Sequence, residues 1–300
     1  MSRNGPVASG RADHWLSLAG GRTSDEDPGW YFTGRAELTR EVADFLRDGT
    51  GTLVITGAAG TGKSAIIARA VALSDPGFRA DPRYREVVAR APADTVPPEG
   101  AVDVAISARN KDAAELYEEL LALLGHTPPV VDRRERLSTL RLELLGALDE
   151  RQEPFTVVLD GLDEARNPFE TASTLVATLL WPSKGYRGPA IRTVIGVRSP
   201  GPATPGAVNG EASGDGTGPA ARPDAADEER TRDLLDLVMR LLKGRPHRVL
   251  RTDGPDAADD IAGYTESLLA AEPSPYRNDP AARRRLAEVV AAHVAPSFLD

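Results

Sequence analysis

The stretch that most limits what this chain can fold into is Gly57-Ala58-Ala59-Gly60-Thr61-Gly62-Lys63-Ser64. It meets the pattern G-x-x-x-x-G-K-[ST] at every fixed position, and a chance match in 300 residues is expected on the order of 0.01 times or fewer. Before it, Leu53-Val54-Ile55-Thr56 is a short β-branched run bounded by glycines, which reads as a buried strand. After it, 64–73 is rich in Ala and Ile and reads as a helix that stops near Asp75-Pro76-Gly77. Glycines let successive backbone N–H groups converge on anionic oxygens without a Cβ clash, and the helix N-terminus adds the positive end of its dipole. Lys63 can reach β- and γ-phosphates as a point charge, and Ser64 can ligate Mg²⁺ through its hydroxyl. The next position holds Ala65 and no threonine, so no second hydroxyl is expected to join Ser64 there. Of the 36 basic residues only Lys63, Lys111, Lys184 and Lys243 are lysines. One of the four stands where a compact ammonium on a flexible stem suits a polyphosphate better than a planar guanidinium.

A βα alternation continues from there. Strands are expected at 102–107, 155–159, 191–197 and 248–250, with helices over 112–124, 133–150, 168–180, 231–242, 256–269 and 279–295. A further helix precedes the loop, where Leu38, Val42, Phe45 and Leu46 form one apolar stripe. Strands separated by helical stretches of ten or more residues imply a mostly parallel sheet covered on both faces. Residues 1–28 are rich in Gly, Ser, Arg and Asp and read as a linker tail, and 29–198 as the core of the fold. Residues 199–229 lack large apolar side chains and read as a disordered insertion, followed by the end of the core and a helical lid subdomain over 230–300.

A phosphate-binding loop needs a carboxylate for the metal ion and another to polarise water. Phe155-Thr156-Val157-Val158-Leu159-Asp160 supplies the first, an apolar strand ending in Asp. Gly161-Leu162-Asp163-Glu164 follows at once and offers two more carboxylates, either of which could orient water or simply complement a helix N-terminus. The strand at 191–197 delivers Arg198 at the same sheet edge, where ligands of parallel sheets bind.

Composition removes several other classes. Cysteine is absent, which excludes disulfide scaffolds, thiolate metal sites and cysteine nucleophiles and suits a reducing cytoplasm. The four histidines are scattered and give no metal-site spacing. No apolar run approaches the roughly 18 residues of a membrane span. A net charge of −9 argues against broad nucleic-acid binding, although a loop with its lysine and Mg²⁺ still attracts a polyphosphate locally.

Together Trp30-Tyr31-Phe32-Thr33-Gly34-Arg35, the phosphate loop, the Val-Val-Leu-Asp-Gly-Leu-Asp-Glu stretch and the strand ending in Arg198 resemble the STAND branch of the AAA+-related P-loop NTPases. The Asp-Gly-x-Asp-Glu form is most similar to NACHT-type domains. Downstream, Asp260-Ile261-Ala262-Gly263-Tyr264 and Pro296-Ser297-Phe298-Leu299 look like the helical part that closes over the nucleotide. The resemblance implies a P-loop NTPase α/β three-layer sandwich with a mostly parallel sheet, followed by a small helical subdomain. It places Phe32, Gly34 and Arg35 beside adenine and ribose, and Gly57 to Ser64 around the phosphates. It puts Mg²⁺ on Ser64 and Asp160, water on Asp163 or Glu164, the first sensor at Arg198 and an adenine contact near Pro296. Ala295 replaces the glycine expected before that proline. The sequence stops at Asp300 within an apolar stretch, where relatives continue into a winged helix and a sensor array, so a fragment of a larger protein is expected.

The function expected is an ATP/ADP-dependent switch that hydrolyses slowly and controls conformation, self-association or a protein partner. A working AAA+-type ATPase that remodels a macromolecule is the alternative. A small-molecule kinase would need an arginine-bearing lid, and Arg283-Arg284-Arg285 reads more simply as a solvated helix face.

Overall fold

Each central strand is apolar on both faces, and its alternate residues part into two separate cores. In β2 (Thr52–Gly57), Val54 enters one core while Leu53 and Ile55 enter the other. In β4 (Phe155–Asp160), Val157 and Leu159 face the first core and Val158 the second. This period-two division is what a sheet covered on both sides demands. The computed structural model describes residues 8–9, 12–21, 30, 32, 34–130, 132, 134–182, 186–188, 190–201, 225–254, 256–272, 274–295 and 297.

Among these residues six strands form one all-parallel sheet. They are β1 (Ala8–Ser9), β2, β3 (Val104–Ser107), β4, β5 (Ile191–Arg198) and β6 (His247–Arg251), in the spatial order β1-β3-β4-β5-β2-β6. The second core is closed by α1 (Ala12–Gly20), α2 (Ala36–Asp48), α3 (Lys63–Ser74) and α4 (Pro76–Ala80). A short helix, α5 (Arg85–Arg90), follows on that side. The first core is closed by α6 (Ala113–Leu123), α7 (Arg136–Asp149) and α8 (Pro168–Thr171) with its continuation α9 (Ala177–Leu180) and the later α10 (Ala225–Leu241). A π turn, Ala172–Val176, joins α8 to α9. Last come α11 (Ala257–Ala270) and α12 (Pro280–Val294), which pack on each other as a helical hairpin. The fold is thus the three-layer α/β sandwich with a parallel sheet and a helical C-terminal region.

Several stretches differ from the sequence reading. Within 1–28, expected as a tail, β1 extends the sheet beside β3 and α1 packs on α3. Trp15 and Ala19, at i and i+4, are 3% and 0% exposed in the second core. Two buried side chains and their neighbours Leu16 and Leu18 suffice to seat one helix, a signal outweighed by the polar composition around it. Of the expected insertion, 202–224 lie outside the described residues, and 225–229 already belong to α10. Helices α4 and α5 occupy a stretch to which the apolar pattern assigned nothing. Asp75 starts α4 by accepting hydrogen bonds from the Gly77 and Phe78 amides.

Candidate nucleotide-binding site

The topology gathers the chemistry at one sheet edge. β5 lies between β2 and β4, in register Gly57 to Arg198 on one side and Leu159 to Ile195 on the other. The C-terminal ends of three neighbouring strands therefore present the phosphate loop, Asp160 and Arg198 together, which is where parallel sheets bind ligands. The loop turns through Gly60 and Gly62 at φ of 70° and 79°, left-handed values that favour glycine, and α3 starts at Lys63.

Lys63 folds over its own loop: Nζ donates to the carbonyls of Gly57 at 3.0 Å and Ala58 at 2.6 Å. Burial lowers its pKa, with Asp163 opposing and Arg198 adding to the shift. The Ser64 hydroxyl hydrogen-bonds the Asp160 carboxylate. That carboxylate is 4% exposed, and burial pushes it up to about 6, partly countered by Ser64 and reinforced by Glu164 and Asp163. A buried carboxylate beside a hydroxyl, with two further acidic groups close by, is a set of hard oxygen donors. It fits a divalent cation such as Mg²⁺.

Asp163 and Glu164 are both engaged. Asp163 accepts a hydrogen bond from the Arg198 backbone amide at 2.8 Å and faces the Arg198 guanidinium at 3.4 Å. Arg198 also reaches Asp227 in the first turn of α10 at 3.4 Å. Glu164 forms an ion pair with Arg109 at 2.6 Å. Arg109 follows β3 at the same sheet edge, and the sequence reading passed over it. Arg109, like Arg198, is a basic residue at the C-terminal end of a buried strand, and that pattern is visible in the sequence for both.

A cavity of about 520 Å³ runs along this edge. It is lined by 59–66 with Asp160, Asp163, Glu164, Arg109 and Arg198, and by a second set from α1, α11 and the stretch before α2: His14, Leu18, Gly21, Phe32 and Tyr264. Ala65, which follows Ser64 in α3 and also lines the cavity, offers no hydroxyl. α1 and α11 contribute walls, and the Tyr264 hydroxyl joins them by donating to the Gly21 carbonyl at 3.0 Å. Of the residues expected around adenine and ribose, Phe32 and Arg35 line the cavity, whereas Gly34 packs against Asp260. Gly57 and Ala58 are not among its lining residues. The Ala58 amide donates instead to Asp253 at 3.0 Å, just past β6. Pro296 lies outside the described residues. Arg283 donates to the carbonyls of Tyr276 and Arg277, and none of Arg283, Arg284 and Arg285 on α12 lines the cavity.

Residues 31–183, just over half of the 300-residue chain, match the AAA ATPase domain. The chain belongs to this family. No curated protein matches it. The matched span of this AAA ATPase domain holds the phosphate loop and the acidic motif and ends ahead of β5, so Arg198, β6 and the helical hairpin stand outside it. Nucleotide binding and ATPase chemistry follow from the family. Among the described residues no helix is long and apolar enough to cross a membrane.

Proposed function

We propose that this AAA ATPase domain is a slowly hydrolysing ATP switch of the NACHT type within the STAND class, working in the cytoplasm, whose ATP or ADP state controls self-association or a protein partner. One observation carries the reading. Both carboxylates available to orient water are already ion-paired, Asp163 with Arg198 and Glu164 with Arg109, so a turnover must first release one of them. That arrangement favours a long-lived bound state over rapid cycling.

The residues divide the work by position. The loop amides and the Lys63 ammonium hold the β- and γ-phosphates, and Lys63 exchanges its two loop carbonyls for phosphate oxygens. Ser64 and Asp160 would hold Mg²⁺, which would supply charge neutralisation for the phosphates. Asp163 or Glu164 orients the attacking water, and Arg198 reads the γ-phosphate. Phe32, Leu18 and Tyr264 enclose the base.

Calorimetric titration of Lys63→Ala with ATP tests the reading. Loss of a charge-assisted contact of about 1.5–3 kcal/mol weakens binding by about tenfold or more; unchanged affinity overturns it. A remodelling ATPase is the second reading, resting on the family match alone. It requires brisk steady-state turnover and a stable ring.

A further inference from the structure

Arg35 has a conformation and a set of partners that a contact to the base does not explain. It and Asn110 are the two non-glycine residues with positive φ among those described, Arg35 at 54°. A left-handed conformation costs such a residue on the order of 1 kcal/mol, which its surroundings must offset. Its side chain is 6% exposed and spans three elements. Nη2 donates to the Thr61 carbonyl in the phosphate loop at 3.2 Å, and Nη1 donates to the Thr252 carbonyl just past β6. Nε pairs with Asp260 of α11 at 2.9 Å, while the Arg35 backbone amide donates to the other oxygen of that carboxylate at 2.8 Å. One residue therefore grips Asp260 with both backbone and side chain. Gly34 gives the carboxylate room, since a Cβ there would stand 2.5 Å from Oδ1 of Asp260.

The bond to Thr61 bears directly on the phosphate loop. In a trans peptide the C=O and the following N–H point in opposite directions. Fixing the Thr61 carbonyl on Arg35 thus fixes the Gly62 N–H on the far side of the same peptide, in a loop whose Thr61 and Gly62 both line the cavity. The Thr61 and Thr252 hydroxyls, 2.6 Å apart, brace the same peptide from the β6 side.

From this arrangement we infer that Arg35 is a positioning residue that couples phosphate occupancy of the loop to the seating of helix α11, through Thr61 on one side and Asp260 on the other. The inference rests on the nucleotide-binding reading above and deepens it. An anion held by the loop N–H groups stiffens the peptide that Arg35 grips, and the same guanidinium holds Asp260. By linkage, a lid seated more firmly when phosphate is bound returns the same factor as phosphate affinity. The path to α11 runs through the phosphates, separately from the contact of Tyr264 with Gly21.

The experiment uses Mg²⁺-pyrophosphate as the probe, because it carries the phosphates without a base. Binding is measured by calorimetry, and amide hydrogen exchange is followed across Ala257–Ala270. In the wild-type chain pyrophosphate is expected to slow exchange in α11 by about fivefold or more. In Asp260→Asn, which keeps the side chain's size, pyrophosphate still binds but exchange in α11 changes less than about twofold. Arg35→Lys, which keeps the charge but cannot bridge both carbonyls and Asp260, is expected to lose the response as well; it serves if Asp260→Asn does not fold. A full α11 response in either folded variant, or none in the wild-type chain with pyrophosphate bound, overturns the coupling. If neither ATP nor pyrophosphate binds the wild-type chain, the nucleotide reading itself has failed.

Discussion

Asp160 carries a desolvation cost in its charged form that a bound cation would offset. Its folded-state value near 6, set first by burial, lies above the ordinary carboxylate value near 3.8. For an acid raised on folding, the protonated form is the favoured one in the fold. Its contribution is intact below about pH 4, is lost as pH rises to about 6 and stays lost above that. In chelator, Asp160→Asn is therefore expected to stabilise the protein at pH 7.5, by about 3 kcal/mol at most, and to change little at pH 4. Melting temperatures of the two proteins at both pH values check this, and a variant less stable at pH 7.5 would refute it. Neighbouring Gly196 tests the same group by sterics. A Cβ there would collide with Oδ1 of Asp160 and stand 2.7 Å from Ile67 Cδ1, both in packed surroundings. Gly196→Ala is expected to cost about 1–3 kcal/mol and to weaken Mg²⁺-dependent ATP binding, read by denaturant midpoint and calorimetry. The sequence pointed to Asp160 because strand and acid are adjacent in it. It could not point to the Arg35 relay, whose partners Thr252 and Asp260 lie 217 and 225 residues away in the chain.

Among the elements, α1 serves the core and the cavity at once. Trp15 is nearly fully buried in the second core, while His14 and Leu18 of the same helix line the cavity. Trp15→Ala is expected to cost about 3–5 kcal/mol, seen as a lower urea midpoint, and to weaken ADP binding as the cavity wall loosens. Unchanged ADP affinity in a folded variant would separate α1 from the site. The strands were legible because β2, β4 and β5 are short apolar runs with partners on both faces, and α3 because it follows the glycine loop. α1 was not, since burial of Trp15 and Ala19 is decided by α3, far along the chain. Helices α4 and α5 were illegible for a related reason: capping by Asp75 and local packing, rather than a long apolar stripe, hold that stretch.

For the whole molecule, the switch and remodelling readings separate on rate and assembly. The switch predicts slow or single-turnover ATP hydrolysis by a chain that changes oligomeric state or partner binding with its nucleotide. Freeing Glu164 with Arg109→Ala is expected to raise turnover several-fold, measured as phosphate release at saturating ATP; a fall instead would make Arg109 a participant rather than a restraint. Fast turnover in a stable wild-type ring would favour remodelling.

The join between sheet and hairpin sets how any of these states is transmitted. Asp253 is locked to the Ala58 amide and to Arg251, and α11 begins at Ala257. The root of the hairpin is thereby anchored to the phosphate loop, while Asp260 and Tyr264 tie the first half of α11 to Arg35 and Gly21. α11 is 14 residues long, or about 21 Å at 1.5 Å per residue, so a ten-degree swing would carry its far end about 4 Å while the root stays fixed. Any tilt that a change at the loop imposed on α11 would thus be smallest at the anchored root and largest at Ala270.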